Sequence, residues 1–166
     1  MNPQLSTFLE LFALTNIAST KRLIERLSLV LRDPAAYQAH YAEELAERGM
    51  DMRLPPQELR DVALIDALLS EDLLWESDYQ DPATETAEGL NDILAQQQRP
   101  ERLRLAAAGR GPEALDALQE ALEPLGLALV LLTLDSDAYP LSVVAEAQAE
   151  NARKLAQELG FGVTVY

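Results

Sequence analysis

The chain contains no cysteine, which excludes disulfides, thiolate nucleophiles and sulfur-ligated zinc together. It contains a single histidine, His40, so neither a histidine-rich metal centre nor a histidine pair for acid and base catalysis can be assembled within one chain. Long apolar runs are missing as well: the longest, residues 125–134, falls well short of the roughly 20 residues a spanning helix needs and suits a buried strand instead. The opening stretch MNPQLSTFLELFALTNIAST carries no positive charge ahead of its apolar middle, and Glu10 interrupts it, unlike a secretory signal. These absences lead us to expect a protein of a bacterial-type cytoplasm with no membrane partner.

Positive charge is the next scarcity. Thirteen Lys and Arg face 28 Asp and Glu, for a formal charge of −15. A surface of that sign repels polyanionic phosphate, so DNA, RNA and anionic lipid are excluded as expected partners. The imbalance is uneven along the chain. Residues 61–92 hold ten carboxylates (Asp61, Asp66, Glu71, Asp72, Glu76, Asp78, Asp81, Glu85, Glu88 and Asp92) and no Lys or Arg. What the chain does have is apolar mass, 48% of 166 residues, which is enough for one domain with a substantial core and argues against intrinsic disorder.

Hydrophobic spacing organises that mass. Leu5, Phe8, Leu9 and Phe12 recur at helical intervals, and a second helix follows with Leu23, Ile24, Leu27, Val30 and Leu31 as its stripe, capped by Ser19 or Thr20. Asp33-Pro34 supplies a cap and a helix-starting proline for a third helix bearing Tyr37, Tyr41 and Leu45, which Gly49 ends. Pro55 and Pro56 restart a helix through Leu59, Val62, Ile65 and Leu68. The stretch LLWESDY can be a helix tail, a short strand or a loop, because runs this short are ambiguous by period. Asp81-Pro82 repeats the cap-and-proline device before a helix ending near Gln98.

Beyond a seam at residues 100–111, Pro112 opens another helix that Pro124 and Gly126 close. Residues 127–134, LALVLLTL, are almost wholly apolar, as a strand covered on both faces would be, and LSVV at 141–144 is a second strand. A helical stripe from Ala145 to Leu159 with Gly160 as its left-handed cap precedes FGVTVY, whose alternation marks a third strand. The first two strands are joined by about six residues, too few for a parallel crossover, so they should pair as an antiparallel hairpin. The expected class is α+β: a helical part, residues 1–99, packed on a small C-terminal three-stranded sheet within an α+β half, residues 112–166, of a single domain.

The one motif with a chemical reading is LLTLDSD, an apolar strand ending in Asp135 and Asp137. Such a pair can hold a divalent ion or supply a nucleophilic aspartate. The context opposes both roles. Ala138-Tyr139 follows where a haloacid-dehalogenase-like phosphatase carries Gly-Thr, and only about thirty residues remain, against roughly a hundred in a typical domain of that kind. A nucleotide-sugar transferase needs a nucleotide-binding α/β half upstream, and the upstream pattern is helical. Asp and Ser here fold back on their own amides to turn the chain. Ser136 has no histidine neighbourhood for a hydrolase triad, and AAAGRGPEAL lacks the GKS or GKT ending of a phosphate loop. No cofactor is expected.

LDSDAYPLSVV followed by AEAQAENARKLAQELG resembles the C-terminal signature of an uncharacterised bacterial family of acidic domains of unknown function, with DPAAYQAHYAEELAERGM and ALIDALLSEDLLWESD similar to its N-terminal part. The resemblance implies membership and no activity. The charge then carries the functional expectation. We expect a non-catalytic domain whose acidic surface engages a basic protein, as an immunity or antitoxin-like protein engages a toxin domain, with contacts at Asp66, Glu71, Asp72, Trp75, Glu76 and Asp78. The rival expectations are a small metal-dependent enzyme using Asp135 and Asp137, and a structural or oligomerising module.

Overall fold

A computed structural model describes residues 2–50, 53–105, 109–134, 136 and 138–166. Five helices come first: α1 (Pro3–Ala13), α2 (Ile17–Arg32), α3 (Pro34–His40), α4 (Ala42–Glu47) and α5 (Pro56–Ser70). Strand β1 (Trp75–Asp78) and helix α6 (Ala83–Gln96) lead to α7 (Pro112–Leu122), β2 (Leu127–Leu132), β3 (Ala138–Ala145), α8 (Ala149–Leu159) and β4 (Val163–Val165). The sheet has four antiparallel strands in the order β1-β3-β2-β4. The α+β class and the hairpin of β2 and β3 follow the sequence reading. The sheet gains a fourth strand, because WESD pairs with β3 from Trp75 opposite Leu141 to Asp78 opposite Ala138.

Alternation along β2 and β3 divides the core into two layers. Ala128, Val130, Leu132 and Val144 face a large cluster built from α1, α2, α5 and α8, whereas Leu127, Leu129, Leu141 and Val143 face α6 and α7. The sheet is therefore sandwiched between helices, which explains why LALVLL carries no polar alternation. Phe8 joins the two ends of the chain, lying edge-on to Phe12 at 5.3 Å and stacked on Phe161 at 5.8 Å. Gln97 ties the layers together: its buried Nε2 donates to the carbonyls of Phe12 and Val143, both at 3.0 Å.

The segment 100–111 connects two helices of one layer, since α6 and α7 pack beside each other on the same sheet face. β1, from the first half of the chain, is hydrogen-bonded to β3 in the second, so the sheet crosses that seam. Pro140 is tolerated in β3 because the ladder to β2 ends at Leu141, leaving Pro140 opposite only Glu76.

Several helix ends depart from the sequence reading for local reasons. Asn16 caps α2, accepting from the Ser19 amide at 3.1 Å; Ser19 instead donates to Glu71, and Thr20 donates to the Asn16 carbonyl. Tyr41 interrupts the third helix and divides it into α3 and α4. Asp81 does not cap α6. Its Oδ2 accepts from the Asp78 amide while Asp78 Oδ1 accepts from the Gln80 amide, so the two aspartates build the turn before the helix. Asp33 does cap α3, accepting from the Ala36 amide ahead of Pro34.

Candidate functional site

The six residues expected to form one acidic contact face are split up by the fold. Asp66, on the buried side of α5, meets Arg48 at 2.6 Å, and the same guanidinium also donates to Glu76 on β1. Glu71, at the end of α5, takes a two-pronged contact from Arg22 at 2.6 and 2.8 Å and a hydrogen bond from Ser19 at 2.8 Å. Each of these three carboxylates is thus paired with an arginine from elsewhere in the chain. Asp72 adopts a left-handed backbone, φ 58°, at the close of α5, where the Leu73 amide reaches back to the Leu68 carbonyl at 2.9 Å. Asp72 and Asp78 are the two acids of the set that stay exposed.

Trp75 is a packing residue. It is half-buried against the α6–α7 core, and α6 crosses its ring at Gly89 so closely that an added Cβ would lie 2.2 Å from Trp75 Cδ2.

Burial pushes the Asp66 carboxyl up from its ordinary range, and Arg48 pulls it part of the way back. Glu71 is held below its ordinary range by hydrogen bonding from Arg22. Asp61 has no arginine bonded to it. Its Oδ1 accepts from the Gly162 amide at 2.7 Å and from Gln57 Nε2 at 2.9 Å, and burial raises its pKa. A raised folded value means the folded state holds the Asp61 proton more tightly than the unfolded chain. Its contribution to stability is therefore greatest below the unfolded value near ~3.9 and declines as pH rises through the folded value. Asp61→Asn keeps an oxygen acceptor and removes the charge. We expect the variant to gain stability relative to the parent between pH 4 and pH 7 in urea denaturation, ending level with or above it. A deficit at pH 7 of more than ~1 kcal/mol, the typical worth of one hydrogen bond, would refute this account.

Asp61 also lines a cavity of about 280 Å³ with Met50, Leu54, Glu58, Thr133 and Leu134. No histidine or thiol enters it, and among the described residues no group of three or more His, Cys, Asp or Glu is placed to hold a metal ion. Asp135 and Asp137 lie outside the described residues. Between them, Ser136 Oγ accepts from the Ala138 amide at 3.2 Å and its own amide donates to the Leu134 carbonyl at 3.1 Å. His40 is exposed and meets the Tyr41 ring edge-on.

The acids left over after internal pairing collect elsewhere. Glu85, Glu88 and Asp92 recur at helical spacing on the exposed side of α6, and Glu113, Asp116 and Glu120 repeat the same interval on the exposed side of α7. Neither helix contains a Lys or Arg. None of the six carboxylates joins an ion pair among the described residues. Three of the four arginines at 99–110 turn onto backbone and amide oxygens instead: Arg99 donates to Gln97 Oε1, Arg102 to the Arg99 and Glu101 carbonyls, and Arg110 to the Gln80 carbonyl, while Arg104 is exposed. The sequence signal for this surface was present as an acid repeat at spacings of three and four on two helices, half of it outside the stretch 61–92.

No described helix is long and apolar enough to cross a membrane. No curated protein and no solved structure matches the chain. A family model does match, over residues 7–166, and the chain accordingly belongs to the family described as Domain of unknown function (DUF6630).

Proposed function

We propose that the chain is a non-catalytic docking domain that binds a basic protein through the outer face of α6 and α7. The observation that carries the reading is the pair of unpartnered carboxylate stripes, Glu85, Glu88 and Asp92 beside Glu113, Asp116 and Glu120, on two adjacent helices free of Lys and Arg. Exposed like charges on one surface repel one another and add nothing to folding, while they accelerate the approach of a cationic partner. A toxin domain with a basic cleft, neutralised by a bacterial immunity or antitoxin-like protein, is the partner class this chemistry suits. Asp72 and Asp78, exposed at the ends of α5 and β1, extend the acidic character beyond the two helices.

The test compares the parent with Glu85→Lys/Glu88→Lys/Asp92→Lys as immobilised baits in a native lysate, followed by association rates for whatever basic protein is retained. One basic protein should be held by the parent, with an association rate about tenfold slower on the variant and falling with salt. Identical capture by both baits, or turnover of a phosphate ester that depends on an added divalent ion, would overturn the proposal.

A further inference from the structure

Two of the five tyrosines, Tyr79 and Tyr139, from distant parts of the chain, meet where β1 pairs with β3. Tyr79 follows β1, Tyr139 lies in β3 opposite Ser77, and Tyr166 follows β4 with its amide donating to the Leu129 carbonyl. The Tyr79 and Tyr139 rings are 4.3 Å apart and inclined at 43°. Tyr79 is 38% exposed, so water reaches the pair. The Gly111 amide donates to the Tyr79 carbonyl, which fixes the start of α7, and with it exposed Glu113, beside this pair. Asp116 on the same helix lies near enough to Tyr166 to raise its pKa further after burial has done so, as does Tyr139.

The other two tyrosines show what such an arrangement holds. Tyr37 and Tyr41 are 4.5 Å apart and inclined at 30°. Arg26 lies over the Tyr41 ring at 4.2 Å, is 5.8 Å from the Tyr37 centroid, and meets Glu44 at 2.7 Å. A tyrosine pair with a carboxylate beside it is thus how this protein seats a guanidinium. The Tyr79–Tyr139 pair has a comparable ring separation with the acidic start of α7 held near Tyr79, and among the described residues no guanidinium or ammonium lies over it. Arg110, the cation at that rim, is turned onto the Gln80 carbonyl.

We infer that the Tyr79–Tyr139 pair, near exposed Glu113 at the start of α7, is a seat for an arginine side chain of the partner protein. This rests on the docking reading above and adds the side chain that reading leaves open. Arginine suits the site better than lysine because a planar, weakly hydrated guanidinium stacks on aromatic faces while a compact ammonium keeps its water.

The test uses protein labelled with 3-fluorotyrosine and two peptides, acetyl-(Gly-Arg)4-amide and acetyl-(Gly-Lys)4-amide, followed by fluorine NMR. The arginine peptide should move the Tyr79 and Tyr139 resonances saturably and leave Tyr37 and Tyr41 in place. Tyr79→Leu should weaken the arginine peptide about two- to fivefold, with little change for lysine. Tyr79→Phe, which keeps the ring, should bind close to the parent and serves as the folding control. Equal binding of both peptides, indifferent to Tyr79→Leu, would overturn the seat and leave the acidic docking reading standing. Failure of either peptide to reach the tyrosines would also overturn the seat, and the capture experiment then decides the docking reading separately.

Discussion

Arg48→Met should destabilise the fold by about 3–5 kcal/mol, the range found when one partner of a buried ion pair is removed. Arg48 is only 17% exposed and answers two carboxylates, Asp66 at 9% and Glu76 at 29%. Methionine fills much of the same space without the charge, so the loss is electrostatic. Asp66 is left in the core with neither oxygen paired, because its Oδ2 already makes no hydrogen bond among the described residues. For a chain of this length, each kcal/mol moves the thermal midpoint by roughly 2–4 °C, so the shift is easily measured. Adding Asp66→Leu and Glu76→Gln to Arg48→Met should recover most of the loss, since an apolar replacement of a whole buried charge cluster is often neutral. A single variant within 1 kcal/mol of the parent would show that the triad is solvated and that Asp66 and Glu76 are free after all.

The same triad shows where sequence reasoning reached its limit. Counting charge in residues 61–92 is sound as chemistry, yet the cations that answer it come from Arg22 and Arg48, 49 and 18 residues away from Glu71 and Asp66 in the chain. A local charge window has no access to pairing of that range. Helices and the central strands were legible because each has its own period and its own punctuation: Asp33-Pro34, Pro112, Gly126 and Gly160 act where they were expected to act. β1 was not, because four residues carry too little periodicity and its strand character comes from pairing with β3. The tyrosine pair is invisible for the same reason as the triad, since residues 79 and 139 converge only through the pairing of β1 with β3. The acidic stripes on α6 and α7 are readable by helical spacing alone, although only the α6 stripe falls within the densest run of carboxylates, residues 61–92.

Gly89→Ala should cost about 2 kcal/mol, against the direction that helix propensity predicts. Glycine inside a helix is worse than alanine by roughly 1 kcal/mol, so a mid-helix glycine needs a reason, and here the reason is Trp75. The added methyl would stand 2.2 Å from Cδ2 and 2.5 Å from Cε2 of the indole, well inside van der Waals contact, so either α6 lifts off the sheet or the ring leaves its place. Overpacking of this kind typically costs about 1–3 kcal/mol or somewhat more, partly offset by the propensity gain. The decisive measurement is a double-mutant cycle with Trp75→Leu, which removes the ring that the methyl strikes. In that background the clash is gone and only the propensity term remains, so Gly89→Ala should turn stabilising by up to ~1 kcal/mol. Equal losses in both backgrounds would separate the two residues energetically. Trp75 would then be released from its packing role under α6 and become available again as a contact for a partner.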